Sequence, residues 1–349
     1  MSRYRVAQWG TGNVGLQALR AILDHPAMEL VAVRVFSPAK IGRDARELTG
    51  SDPLGAGSTG IVATGSIEDV IAARPHCVIY LPDQPDVDDM CRLLEAGANL
   101  VTACIGFNQR ASLDPQVLGR LEAACAAGSS SLYSTGSSPG WSTEVMPLTL
   151  MMMQRRFESL TITDYADMAE RDSPIMLERL GFGAQVEDMD PNRQPVTVQS
   201  TTSSFNALAA AIGLPLEEVV GSVEYALARK REVIAAGVIE AGTIGAIRMG
   251  VFGVRGDKRI LRRYSTWYVT RDLDPAWELR ESGWSMQVKG DTSLDVTIAF
   301  DVAPEDYAAY SPGLTAHPVI NAACHVIEAQ PGVLETRDLP MLTPQLIES

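Results

Sequence analysis

The chain is expected to fold as an α/β protein: a doubly wound parallel sheet, followed by a second α+β domain carrying a mostly antiparallel sheet. Three observations predict this. Short β-rich runs alternate with helical stretches over the first part of the chain, a glycine-rich turn joins the first run to the first helix, and beyond Trp141 the pattern changes to long alternating strands.

In the first part, residues 4–9, 30–36, 77–81, 100–104 and 131–134 read as strands, and 13–24, 67–73, 87–96 and 115–127 as helices. Strand, helix, strand in succession makes parallel neighbours. Val31-Ala32-Val33 and Val78-Ile79-Tyr80-Leu81 lack polar alternation, as strands covered on both faces do. Past Trp141 a helix is expected from Ser142 or Thr143 through Met151-Met152-Met153, with the methionines in its interior. Runs 246–254 and 259–270 read as a hairpin closed by Arg255-Gly256-Asp257-Lys258, and 314–329 turns helical again. The expected division is a first domain at 1–142, a substrate and dimerisation domain at 143–310, and a C-terminal helical segment at 311–349 that returns to the first domain.

Composition narrows the class. A chain of 349 residues suits two domains, and 46% hydrophobic with 21% charged residues supports a sizeable core. The net charge of -14, with no run of lysines or arginines, argues against nucleic acid or an anionic membrane surface as partner. The start shows no signal-peptide succession and no stretch reaches membrane-span length, so a cytoplasmic location is expected. The five cysteines are odd in number and scattered among apolar residues, which suits reduced packing residues. The four histidines form no ligand pair, and no metal site is expected.

Chemistry enters with Gly10-Thr11-Gly12-Asn13-Val14-Gly15, which follows a strand and opens a helix. In a Rossmann domain the first glycine makes the tight turn, the second lets backbone approach a pyrophosphate, and the third lets helix close on strand. Leu81 and Pro82, at the end of the 77–81 run, are expected beside the same dinucleotide. The second strand would end in a carboxylate if NAD ribose were read there; instead it continues Val35-Phe36-Ser37-Pro38-Ala39-Lys40-Ile41-Gly42-Arg43. Ser37, Lys40 and Arg43 offer a hydroxyl and two cations to a 2'-phosphate, so NADP is the expected cofactor, with NAD as the alternative.

The glycine turn, Thr135-Gly136-Ser137-Ser138-Pro139-Gly140-Trp141, Asp172-Ser173-Pro174 with Gly181-Phe182-Gly183, Thr315-Ala316-His317-Pro318-Val319-Ile320-Asn321-Ala322, Pro331-Gly332 and Asp338-Leu339-Pro340 together carry a family resemblance. The chain resembles the nicotinamide-dependent amine dehydrogenases related to 2,4-diaminopentanoate dehydrogenase, whose N-terminal domain is dihydrodipicolinate reductase-like. The resemblance implies a homodimer that reduces a carbonyl or imine carbon, with the pocket at the cleft between domains and ammonia as co-substrate of its amine-forming members. It also implies Ser138 to Trp141 beside the nicotinamide, Trp141 toward the substrate, and Thr315 and Asn321 at the cofactor's reactive end. One departure stands out: a glutamate that handles the ammonium proton in those members is absent, and this chain reads Ile105-Gly106-Phe107-Asn108 there.

Ile105, Phe107, Trp141, Met176, Phe182 and Thr315 would give a partly apolar pocket for a small carbonyl or amine substrate. Tyr165 is the first candidate to donate a proton to developing alkoxide, although the reading as an ordinary half-buried strand residue is favoured over it. The expected function is hydride transfer to or from a carbonyl or imine carbon. One alternative is true reductive amination with Asp164, Glu144 or Glu170 in place of the missing glutamate; another is a dinucleotide-binding redox sensor without turnover.

Overall fold

The computed structural model describes residues 3–50, 57–190 and 197–346. The chain divides into two compact units, Met1–Trp141 with Ser311–Ser349, and Ser142–Tyr310.

In the first unit, β1 (Tyr4–Trp9), β2 (Met28–Arg34), β3 (Ala63–Thr64), β4 (Cys77–Tyr80), β5 (Asn99–Thr102) and β6 (Ser131–Ser134) form one sheet in the order β6-β5-β4-β1-β2-β3. All neighbours are parallel. The order reverses beside β1, which leaves a crevice outside the carboxyl ends of the strands, the usual ligand position in such sheets. A seventh strand, Gly332–Leu334, pairs parallel with β6. Only three residues long, it was not anticipated, because so short a run carries no periodicity.

Five helices, α1 (Asn13–Asp24), α2 (Ala45–Thr49), α3 (Ile67–Ala72), α4 (Val87–Glu95) and α5 (Pro115–Gly128), connect these strands. Alternate residues of β1 feed two cores. Val6 joins Leu19 and Ile22 of α1 and Ala316, Val319 and Ile320 of a long helix, Tyr307–Ile327. Ala7 and Trp9 join Met90, Leu93 and Leu94 of α4 and Leu121 and Ala124 of α5. Burying each such leucine or isoleucine contributes roughly 1.5–3 kcal/mol. Caps fix where helices begin: Asp86 accepts from the Asp88 and Asp89 amides, and Asp114 from those of Gln116 and Val117. The long helix starts at Tyr307, not at 314, and holds Pro312 and Pro318 inside it. Proline's missing N–H marks a break in a sequence reading, but here the helix runs through both prolines, with Gly313, Ala316, Val319 and Ile320 buried around Pro318.

The second unit is built on β7 (Phe157–Asp167), β8 (Glu218–Ala228), the short pair β9 (Glu232–Ile234) and β10 (Gly237–Ile239), β11 (Ile244–Arg255), β12 (Lys258–Tyr268), β13 (Leu273–Asp274), β14 (Gly283–Gly290) and β15 (Leu294–Ala299). Its main sheet runs β13-β8-β11-β12-β7-β14-β15, antiparallel except for the β12–β7 pair. Gly256, at φ +61, supplies the left-handed conformation that turns β11 tightly into β12. The helices α6 (Met146–Met151), α7 (Pro174–Leu180) and α8 (Val198–Ala211) belong to this unit. Phe205 and Leu208 of α8 pack on Leu160, Ile162, Val251 and Leu261, and Leu177 and Leu180 of α7 pack with Ile247 and Met249. The methionine run corrects the expectation of a helix interior: α6 ends at Met151, which is buried, while Met152 and Met153 are 83% and 61% exposed. The five cysteines are all free and buried.

Candidate functional site

The glycine turn of the first unit is shaped from below. Gly10 sits at φ +90, and a Cβ there would lie 2.5 Å from the Leu81 carbonyl oxygen, so only glycine lets the turn cross the end of β4. A Cβ on Gly15 would fall 2.3 Å from the Gly10 carbonyl oxygen, so α1 closes on the turn without a side chain between. Gln8, fully buried on β1, donates from Nε2 to that same Gly10 carbonyl at 2.7 Å.

Gly12 differs from both. Its backbone is extended, a conformation open to any residue, and nothing lies within 4 Å of a Cβ built there. The fold itself therefore does not require glycine at 12, and a side chain there would fill the space above the loop instead. That space is a cavity of about 670 Å³, lined by Gly10 to Gly15, by Phe36, Ser37 and Lys40 after β2, and by Leu81, Pro82, Asp83 and Gln84 after β4. The amides at the start of α1 open onto it. A cavity of this size, with a side chain omitted where a diphosphate would approach, fits a dinucleotide.

The segment after β2 carries the charge. Lys40 donates from Nζ to the Thr11 carbonyl at 2.7 Å and lies 3.2 Å from its Oγ1, which holds the ammonium at the rim of the glycine turn. The first carboxylate after β2 is Asp44, and it is committed elsewhere: it accepts from the Arg46 and Thr59 amides and from the Ser58 and Thr59 hydroxyls. Burial opposes ionisation of Asp44, but those hydrogen bonds outweigh it and hold its carboxyl at about 2. Arg43, also expected toward the cofactor, lies beside its own helix in this structure. Its Nε lies 3.6 Å from Glu47 one helical turn on, and it is not among the residues lining the cavity.

Elsewhere in this unit the Ser137 and Thr315 hydroxyls are 2.9 Å apart, tying the segment after β6 to the long helix. The Trp141 amide donates to the Gly136 carbonyl at 2.8 Å, and Trp141 is half-buried. Asn321, half-buried on the long helix, is not among the residues lining the glycine-turn cavity. Ile105, past the end of β5, is 53% exposed, an apolar side chain presented to the outside of the unit. Phe107 is another correction: at 6% exposure it packs into the core with Trp9 and Leu121 and offers a substrate no surface. Phe182, at 7%, is likewise a core residue of the second unit. The side chain of Met176 lies outside the described residues.

In the second unit Tyr165 is half-buried on β7, opposite Thr266 of β12 and Gly283 of β14. Its neighbour Asp164 points the other way and is saturated. Oδ1 accepts from Arg263 Nε at 3.2 Å, Arg263 Nη2 at 3.0 Å and Ser265 Oγ at 2.7 Å, and Oδ2 accepts from Trp267 Nε1 at 3.1 Å. Arg263 also donates to Thr201 Oγ1 at 2.9 Å. Such a carboxylate holds a buried ion pair and is poorly placed to shuttle protons. Glu144 is buried and accepts from Ser204 Oγ at 2.9 Å. Glu170 is exposed and lines a smaller cavity of about 310 Å³ with Asp167, Phe300 and Tyr307, where burial pushes the Asp167 carboxyl and the Tyr307 phenol upward.

Residues 144–348 match the family model of the 2,4-diaminopentanoate dehydrogenase C-terminal domain. The chain belongs to this family. It is 31% identical over 347 residues to an amine dehydrogenase of Streptomyces virginiae, covering 95% of each chain. Its fold is shared with the amine dehydrogenase of Mycobacterium smegmatis, at TM-score 0.77 and 17% identity over 98% of this chain and 97% of that one. A more distant match is myo-inositol 2-dehydrogenase from Lactobacillus plantarum, at TM-score 0.50 and 10% identity over 93% and 90%. The family resemblance and the α/β fold class expected from the sequence are thereby borne out. The protein is an oxidoreductase, a dinucleotide-dependent dehydrogenase or reductase. Among the described residues no helix is long and apolar enough to cross a membrane.

Proposed function

We propose that the protein is an NADP-dependent dehydrogenase that moves a hydride to or from the carbonyl or imine carbon of a small, partly apolar substrate. The observation that carries the cofactor preference is the end of β2, where Ser37 and Lys40 line the cavity and residues 35–43 hold no carboxylate to accept from a ribose 2'-hydroxyl. The nicotinamide supplies the hydride when the dinucleotide is bound. The chain's part is to seat the diphosphate over Gly12 and the start of α1, and to offer Lys40 to the 2'-phosphate. Turning from the Thr11 oxygens to a phosphate, the Lys40 ammonium exchanges a neutral acceptor for an anionic one.

Replacing Lys40 by methionine is therefore expected to weaken NADPH binding by about 10- to 100-fold, the size of a lost charge-assisted hydrogen bond. NADH binding should change little. Nicotinamide fluorescence titration reads both, and an equal loss for the two cofactors would assign Lys40 to the loop rather than to the phosphate.

The proton that balances the hydride is assigned to the Tyr165 phenol. Turnover of Tyr165→Phe at the wild-type rate, with cofactor binding intact, would remove that assignment. Ile105 puts an exposed apolar side chain where the amine-forming relatives would have a glutamate, which favours a carbonyl over an ammonium-bearing substrate. The amine dehydrogenase of Streptomyces virginiae supports a second reading, ammonia-dependent reductive amination by another acid. NADPH oxidation with a panel of ketones and aldehydes, with and without ammonium, separates the two. In the carbonyl reading, Ile105→Glu is expected to create ammonium-dependent oxidation roughly tenfold or more above the wild type, within the range positioned acids contribute. No gain would count against the missing carboxylate as the cause. A homodimer is the proposed assembly, to be read by light scattering on the purified chain.

A further inference from the structure

We infer that Phe36 is the adenine platform of the dinucleotide site, an aromatic face held from behind by Arg34; the inference rests on the dinucleotide reading above. Arg34 is the last residue of β2, and its carbonyl accepts from the Gly10 amide at 2.9 Å, which fixes it beside the glycine turn. Its guanidinium lies over two rings, with Cζ 4.7 Å from the Trp9 ring centre and 3.7 Å from that of Phe36. Trp9 is fully buried and packs on Tyr80 at 5.5 Å, so the inner side of this stack is rooted in the core.

The guanidinium faces these rings and also lies within electrostatic reach of the Asp89 carboxylate. Its Nε and Nη1 are buried and have no hydrogen-bond partner, an arrangement that costs free energy which its contacts with the aromatic faces, together with that carboxylate, offset. What those contacts achieve is to fix the outer ring. Phe36 is 54% exposed, yet it is clamped on one face and lines the same cavity as Gly10 to Gly15. A lone exposed phenylalanine needs no explanation. One that is backed by a cation on the wall of a cofactor cavity already presents its other face to the space a ligand would fill, and needs less ordering on binding.

Sheet order identifies the ligand group. β2 flanks β1 on the side away from β4, so the Phe36 wall and the Leu81 to Gln84 wall lie on opposite sides of the glycine turn. With the diphosphate at the start of α1, the residues after β2 address the adenosine half, since the adenosine ribose is read there. The flat group that meets Phe36 is then adenine, which offers a π-face and needs no hydrogen-bond partner from the ring. NADPH and NADH carry the same adenine. Phe36 thus governs how tightly either cofactor binds, while Lys40 governs which is preferred.

The test titrates wild type, Phe36→Ala and Phe36→Tyr with NADPH, NADH and reduced nicotinamide mononucleotide, which lacks adenosine, and checks that all three proteins melt alike. Phe36→Ala is expected to raise Kd for NADPH and NADH by a similar factor, about 5- to 150-fold, the range of base-on-aromatic stacking. The mononucleotide should bind wild type and Phe36→Ala equally, and Phe36→Tyr should restore both dinucleotides. Unchanged NADPH binding in Phe36→Ala would overturn the inference, as would a parallel loss of the mononucleotide, which would point to a disturbed loop. Wild type that binds neither NADPH nor NADH would instead sink the dinucleotide reading on which the inference stands.

Discussion

Gly12→Val is expected to fold as the wild type does and to lose dinucleotide binding by about a hundredfold or more, the effect of forcing roughly 3 kcal/mol of overlap into a fitted site. The backbone at 12 is extended, no protein atom lies within 4 Å of the added Cβ, and the new side chain projects over the start of α1. Its effect on the melting temperature of the free protein should therefore be small, within the few tenths of a kcal/mol usual for open sites. Gly10→Val is the informative contrast. There the added carbon meets the Leu81 carbonyl at 2.5 Å in a left-handed backbone, so stability and binding should fall together. Fluorescence titration and thermal melts on the two variants separate a glycine kept for a ligand from one kept for the fold. Intact NADPH binding in Gly12→Val would remove the cofactor site from this loop.

That contrast shows why some of the site was legible in the sequence and some was not. The pattern from Gly10 to Gly15 announces itself because each glycine answers a local requirement, a turn, an approach, a helix closing on a strand. Ser37 and Lys40 follow the strand end by a short distance, and that local spacing is enough to put both on the cavity wall. Arg43 follows it too, and its guanidinium lies beside Glu47 of the helix that starts at Ala45, a position that no local rule gives. Phe107 was misplaced because an aromatic in a loop reads the same whether it faces a substrate or folds back on Trp9 and Leu121. Phe36 passed unremarked for the converse reason: only the position of Arg34 beneath it turns an exposed ring into a prepared surface. In the fold, long elements with a clear period, such as the β11–β12 hairpin, were read nearly to their ends. The Gly332–Leu334 strand was not, because three residues acquire their state from the strand they join.

Arg263→Met is expected to destabilise the second unit by about 3–5 kcal/mol, because it strands the Asp164 carboxylate in a site built around its partner. For a unit of this size that corresponds to a fall in melting temperature of about 6–20 °C. The pair lies on adjacent strands, with side-chain exposures of 7% and 12%, and its remaining donors come from Ser265 and Trp267. Pairing Arg263→Met with Asp164→Leu should recover part of the loss, since no unpaired charge remains, although the Ser265 and Trp267 donors then lack their acceptor. The same residues decide a chemical question. If Asp164 replaced the absent glutamate, Asp164→Asn would abolish turnover in a protein that still folds and binds cofactor. The four donors already on its oxygens give the opposite expectation: Asp164→Asn should lose stability while each folded molecule keeps its kcat. A thermal melt read alongside activity at a temperature well below the transition separates these outcomes, and a fully folded, cofactor-binding, inactive Asp164→Asn would return that carboxylate to the chemistry.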